Sequence, residues 1–208
     1  MKTERCYIPK RIRDRKEIAL IADGKTEQWY LAQMRKEENI PITIQPELPT
    51  KRTLKEELQK VYQCLEKGYD HVFWIIDLDV VNHSQKEDNN WHFLANSIEE
   101  INSSDTTKVT IVLNNPCLEF WYILHYKSTS RSYQTFTQLK ADLNKYLPNY
   151  DKSEKYYVNL YKHLRDRLPQ AVQHAKQLPS PQRPYNKESF KVALCDMYKI
   201  VEYLHIID

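Results

Sequence analysis

Acids placed directly after apolar runs are the residues of this chain whose types and spacing could do chemistry. Asp23 closes the run at 16–22 (KEIALIA), Glu27 follows one helical turn later, and Asp77 and Asp79 close the run at 71–76 (HVFWII) as a D-x-D. Glu119 sits inside a third apolar stretch, 117–126 (CLEFWYILHY). Carboxylates gathered without an intervening base repel one another and hold on to protons unless a cation lies between them. A hard divalent cation, Mg²⁺ or Mn²⁺, resolves the conflict, since it takes oxygen ligands from one or two carboxylates and leaves room for a substrate phosphate. D-x-D after a strand also serves as turn or helix-capping chemistry. What favours the metal is the second acidic turn, Asp23-Gly24-x-x-Glu27, which neighbours the first if the two strands pair at the point where strand order reverses. Glu119 must face a cation, a basic partner or the crevice, because burying a lone carboxylate costs about several kcal/mol.

Composition narrows the chemistry further. The 208 residues include only two glycines, Gly24 and Gly68, where average usage gives about fifteen. Glycine-rich phosphate loops and dinucleotide fingerprints are therefore excluded, and phosphate must be handled by carboxylates, metals or basic side chains. Seven basic residues against two acidic ones fill positions 1–16, whereas the rest of the chain is slightly acidic. This basic N-terminal arm, with Lys10, Arg11, Arg13 and Arg15, is of the kind that lies along a phosphate backbone, and Lys25 at the acidic turn adds to it. Cys6, Cys64, Cys117 and Cys195 are dispersed with no C-x-x-C, which points to reduced thiols, a cytoplasmic protein and no structural zinc. No apolar run approaches the roughly 18 residues of a membrane span.

The elements that must position these acids read as follows. Strands are expected at 16–22, 40–45, 71–76 and 108–113, the second at a sheet edge because of Pro41. Helices are expected at 26–38, capped by Thr26, at 53–66, stopped by Gly68, at 84–101 and at 117–126, the last apolar all round and so internal. This alternation predicts an α/β core over 17–127 with a parallel sheet and right-handed crossovers. Beyond it strands stop, and 133–147, 154–178, interrupted at Pro169, and 187–206, set off by the Pro-rich segment 178–184, read as helices of an α-helical C-terminal extension, 128–208, packed on the core. Cys117, Phe120, Trp121, Leu124 and His125 fall at helical spacing and are expected to be core packing, with Pro116 opening their helix.

The trio IADGKTEQWYL, IIDLDV and NNPCLEFWYILHY, in that order, resembles the RloB family. Its pattern is an acid-Gly-x-Thr-Glu turn, a D-x-D, and an S/N-N-P-C-x-E-x-W-x-x-x-H segment. The resemblance covers about residues 10–130. It implies a Toprim-like, Rossmann-like fold with a metal-dependent nuclease centre, membership of phage-defence or restriction-linked loci, and an ATPase partner. By position it makes Asp77 and Asp79 the metal-binding pair, with Asp23 completing the metal shell or transferring a proton, and with Asp23, Glu27 and Glu119 the catalytic acids and His125 the closing histidine. Asp23 stands where the family usually has glutamate, which shortens its reach by about 1.5 Å, one bond.

Two functions follow. One is a Mg²⁺- or Mn²⁺-dependent phosphodiesterase on DNA or RNA, held by the basic arm and by exposed tyrosines of the helical part. The other is a non-catalytic adaptor that binds nucleic acid or a partner ATPase through a degenerate site.

Overall fold

The structure, a computed structural model, describes residues 16–22, 24–45, 53–82, 87–104, 108–133 and 135–207. The basic arm with Lys10, Arg11, Arg13 and Arg15, and the acid Asp23, lie outside the described residues. Four strands run parallel: β1 (Ile18–Ile21), β2 (Ile42–Gln45), β3 (His71–Asp77) and β4 (Val109–Asn115), in the order β2-β1-β3-β4. β2 is at the edge, as Pro41 requires. The fold is an α/β, Rossmann-like sheet flanked by helices. Its order reverses between β1 and β3, so the crevice for a ligand opens beyond the carboxyl ends of those two strands.

Alternation along the strands sends side chains to two cores. Ile18, Leu20, Phe73 and Ile75 pack toward α1 (Lys25–Glu37) and α5 (Glu119–Leu124), while Ala19, Ile21, Val72, Trp74 and Ile76 pack toward α2 (Leu54–Glu66) and α4 (Glu87–Ser103). Both faces are covered, which is why β1 and β3 read as continuous apolar runs. α2 begins with a Thr53–Glu56 capping box and ends before Gly68, whose φ of +90° is the left-handed conformation that stops a helix cheaply only at glycine. Between β3 and α4 lies a short helix not foreseen, α3 (Leu78–Asn82), so Asp79 belongs to a helix rather than to a strand end.

The C-terminal part departs from the sequence expectation in two ways. Strands do not stop at 127: β5 (Leu194–Cys195) joins β4 antiparallel, pairing Asn114 with Cys195 and Asn115 with Leu194. The expected helix at 187–206 is therefore only α10 (Met197–Tyr203), because the backbone of 194–195 finds ladder partners on the open edge of β4. The stretch 154–178 holds α7 (Glu154–Tyr157), α8 (Leu160–Leu164), a 3-10 turn (Arg165–Arg167) and α9 (Leu168–Lys176); the interruption at Pro169, at the start of α9, is the expected one, and the break between α7 and α8 is not. The segment 133–147 holds α6 (Phe136–Leu143). Leu139, Leu143, Tyr157, Leu164, Ala171 and Ile200 join the same core as β1, α1 and α5. Among the described residues no helix is long and apolar enough to cross a membrane.

His71 opens β3 in a nearly closed setting, 5% exposed, stacked on Tyr203 at 4.2 Å and bonded through Nε2 to Thr110 Oγ1 at 2.9 Å. Burial, helped by the Lys16 charge, drops its pKa from 6.5 to about 4. A histidine that folds neutral contributes stability above its unfolded pKa, and that contribution is lost as pH falls from about 6.5 through 4. After allowance for partial solvent screening the effect is about 2 kcal/mol. Denaturant titrations at pH 7 and pH 4.5 should show His71→Gln losing less stability on acidification than the parent chain; equal losses would refute the assignment.

Candidate metal centre

β3 delivers Asp77 to the crevice, and the segment after β4 wraps around it. Asn114, the strand neighbour of Asp77, donates from Nδ2 to Asp77 Oδ1 at 3.1 Å, and the backbone N–H of Leu118 donates to Oδ2 at 3.0 Å. The N-N-P-C-L-E stretch thus has a local logic. Asn114 orients Asp77, and Asn115 donates to the carbonyls of Phe190 and Val192 at 2.8 and 2.7 Å, clasping the C-terminal segment. The Pro116 carbonyl accepts from the Asp79 N–H at 3.0 Å and so fixes the start of α3. Cys117 and Glu119 then point back at Asp77, and one ligand atom from each of the three lies within 4.8 Å of the others.

Glu27 enters from the first turn of α1, where the helix dipole favours an acid. Its carboxylate accepts from Thr26 Oγ1 at 3.1 Å and shares a hydrogen bond with Asp77. Burial first, and the Glu119 charge after it, push the Glu27 pKa up, while its hydrogen bonds partly offset this. Asp77 is raised well above the usual carboxylate range, by burial and then by the charges of Glu27, Asp79 and Glu119. Thr26 does not cap α1: the N-cap is Gly24, with no side-chain cap, and Thr26 lies inside the first turn bonded to Glu27.

Gly24 itself has φ −80° and ψ 148°, extended backbone open to any residue. Its reason is space. A Cβ there would overlap Glu27 Oε2 and come within 2.6 Å of Cδ. Because the obstacle is the end of a side chain, Gly24→Ala should leave the fold intact and swing Glu27 out of the cluster. We expect cation affinity, read by calorimetry, to fall by about tenfold or more, with a melting temperature changed by no more than about 4 °C. Unchanged affinity would remove Glu27 from the site.

Glu119 is fully buried. Its Oε1 accepts from Tyr150 at 2.8 Å and pairs with Lys152 Nζ at 2.8 Å, and the Cys117 thiol hydrogen-bonds to the same carboxylate, whereas Oε2 has no hydrogen-bond partner of ordinary geometry among the described residues. Tyr150 in turn shares a 2.5 Å hydrogen bond with Tyr157, and Tyr122 donates to Tyr157 at 3.5 Å. Burial drives the pKa of Tyr150, Tyr157 and Tyr122 upward, so the phenols stay protonated. Burial works against the charge of Lys152, but the Glu119 carboxylate more than restores it and raises its pKa. Lys152 also lies 4.0 Å from the centre of the Phe136 ring.

The remaining expected residues are more dispersed. Asp79 is half-buried at the edge of a shallow groove with Thr135, Phe136 and Thr137, outside the compact triad although its charge reaches Asp77. Lys25 is exposed on α1. His125 is fully buried, with Nδ1 donating to the Trp121 carbonyl at 2.9 Å, and burial lowers its pKa to about 3. It is a neutral core histidine, as helical spacing suggested. Cys117 is the exception to the packing expectation, since its sulfur joins the acids as well as the core. The tyrosines from 133 to 203 are buried or half-buried, so the expected exposed tyrosine face is absent among the described residues.

Glu57, Tyr150, Lys152 and Tyr157 were missed. Glu57, 4% exposed, accepts from Trp74 Nε1 at 2.7 Å and lines a cavity of about 90 Å³ with Gly24, Glu27, Asp77 and Val80. On α2 it reads as a polar helix position. Tyr150 and Lys152 come from a polar loop with no periodicity, where the abundance of tyrosine was the only signal.

The profile of the family described as RloB-like protein matches residues 18–204. The chain belongs to the RloB-like family. No curated protein and no solved structure matches it. Across RloB-like residues 18–204 the match takes in α6 to α10 as well as the acidic turns, hence Tyr150 and Lys152 also.

An RloB-like site of this form suits a cation. The buried Glu119 Oε2 lacks, among the described residues, the hydrogen-bond partner of ordinary geometry that such an oxygen needs, and the carboxyl groups of Asp77 and Glu27 are crowded into one closed space.

Proposed function

We propose that the protein is a metal-dependent phosphodiesterase of Toprim type, acting on DNA or RNA in bacterial anti-phage defence, in the cytoplasm and beside an ATPase partner. The observation that carries this reading is the Glu119 carboxylate, buried with Oε2 lacking a hydrogen-bond partner among the described residues and grouped with Asp77 at the carboxyl end of the sheet. Asp77 and Glu119 would hold a divalent cation, with Asp79 on its outer side, and Asp23 keeps the role that the resemblance gives it, completing the metal shell or transferring a proton. Bound there, a cation such as Mg²⁺ or Mn²⁺ supplies Lewis acidity to a phosphate oxygen and a more acidic water.

The chain's own residues supply the rest. Glu27 and Asp77 share a hydrogen bond, so Glu27 is placed to hold the proton that Asp77 gives up when it binds a cation. Tyr150 and Lys152 fix the rotamer of Glu119, and Lys152, 41% exposed, can also meet a phosphate. The basic arm and Lys25 would track the nucleic-acid backbone, with affinity that falls steeply with salt.

The purified protein should cleave single- or double-stranded DNA or RNA with Mg²⁺ or Mn²⁺ and not with chelator. Asp77→Ala should abolish cleavage, and Asp79→Ala, which lies outside the triad, should reduce it less. Nucleic-acid binding without cleavage under every metal condition would replace this reading with that of an adaptor.

A further inference from the structure

We propose that Cys117 is a direct metal ligand, so that the centre is a mixed thiolate–carboxylate site that prefers Zn²⁺ or a similar borderline cation and takes Mg²⁺ only weakly. The inference rests on the cation site above, not on the cleavage activity assigned to it.

Three observations converge. The Cys117 sulfur lies within 4.8 Å of a carboxylate oxygen of both Asp77 and Glu119. In a tetrahedral site, ligand bonds of about 2.0–2.3 Å set neighbouring ligand atoms about 3.3–3.5 Å apart, so a cation would draw the three atoms together by up to about 1 Å, within the reach of side-chain rotation. Glu119 Oε2 is buried and lacks a hydrogen-bond partner of ordinary geometry among the described residues, which leaves it free to take a coordination position. Without a cation the Cys117 thiol hydrogen-bonds to the Glu119 carboxylate, and a bound cation would take the place of that proton between the two groups.

The charge arithmetic agrees. Two carboxylates and a thiolate exceed the charge of a divalent cation, and Lys152, paired with Glu119 at 2.8 Å and within electrostatic reach of Cys117, supplies a further positive charge. Sulfur is the selective element in this donor set. Thiolates favour zinc and later first-row metals, while Mg²⁺ requires near-octahedral oxygen ligation and keeps its waters. Coordination would also deprotonate the thiol outright.

Cobalt(II) is the probe, since it replaces zinc and reports its ligands by colour. Titrating Co²⁺ into the metal-free full-length chain should give a near-ultraviolet thiolate-to-cobalt charge-transfer band that saturates at one equivalent. Zn²⁺ should bleach the band, and a large excess of Mg²⁺ should not. Cys117→Ser should lose the band and bind Co²⁺ about ten- to a hundredfold more weakly by calorimetry. A chain with Cys6, Cys64 and Cys195 all changed to serine, which keeps only Cys117, should retain the band, and this variant decides the matter if Cys117→Ser fails to fold. Cobalt bound without the band, or a band that survives Cys117→Ser, overturns the thiolate ligand and leaves the cation site standing. Calorimetry showing no binding of Co²⁺, Zn²⁺, Mn²⁺ or Mg²⁺ overturns both.

Discussion

Asp77→Asn and Glu119→Ala should each lower cation affinity and cleavage by about a hundredfold or more, yet move the stability of the metal-free protein in opposite directions. The shared loss follows from the triad. Each residue contributes a ligand atom to one small volume, and removing even a supporting partner of a metal ligand typically costs about 10–100-fold. The opposite stabilities follow from how the two acids are neutralised. Asp77 has no cationic partner among the described residues and is pressed by the charges of Glu27, Asp79 and Glu119. Asparagine keeps the shape and an acceptor for Leu118 or Asn114, and its amide can donate to Glu27. We expect a net gain of about 1 kcal/mol, or roughly 2–4 °C in a chain of this size.

Glu119→Ala does the reverse. It leaves the buried Tyr150 hydroxyl and the Lys152 ammonium without their carboxylate. Lys152 is exposed enough to find water, so the cost falls chiefly on Tyr150 and on the vacated space, about 1–3 kcal/mol. Thermal melts in chelator, set beside calorimetric metal titrations, separate the two effects. Should Asp77→Asn melt well below the parent, Asp77 would be a structural anchor whose hydrogen bonds outweigh its crowding.

The contrast also explains how much of the site could be read from the sequence. Asp77 was legible because a strand covered on both faces leaves a recognisable apolar run, and an acid at its end has few structural reasons to be there. The pairing of β1 with β3 was legible for the same reason, as was Glu119, a charge in an otherwise apolar helix. Tyr150 and Lys152 were not, because they reach Glu119 from a loop whose path depends on tertiary packing. β5 escaped for a related cause: two residues carry no periodicity, and their strand geometry is imposed by the unpaired edge of β4. Pro169 marked the break before α9, but the one between α7 and α8 was equally hidden, since local helical propensity is weak beside the packing of α7 and α8 against α1. Gly24 marks the acidic turn in the sequence, and the folded position of Glu27 supplies its reason: the backbone there is ordinary, and the missing Cβ leaves room for that carboxylate.

The largest stability loss should come from Trp121→Ala. Glu119 is the first residue of α5, a six-residue helix too short to hold itself in place by its own hydrogen bonds, so its position depends on what its other side chains grip. Trp121 is the main grip. It is fully buried, donates from Nε1 to the Tyr30 hydroxyl on α1 at 2.9 Å, and meets the His125 ring edge-on at 4.8 Å. Tyr30 packs in turn on Tyr122 and on Tyr161, so the bond ties α5, α1 and α8 together. Truncating a buried tryptophan costs about 3–5 kcal/mol through lost burial and the cavity left behind, and the orphaned Tyr30 hydroxyl adds about 1 kcal/mol. Against a typical total of about 5–15 kcal/mol, that is enough to leave the variant marginal at 37 °C. Trp121→Phe keeps most of the ring and loses the donor, so about 1–2 kcal/mol is expected. Urea titrations measure both, and a loss below about 1 kcal/mol for the alanine variant would mean that α5 is held by something other than this contact. Cation affinity of the phenylalanine variant then reports positioning separately from folding: with Glu119 still present, any weakening measures how far α5 has moved relative to Asp77.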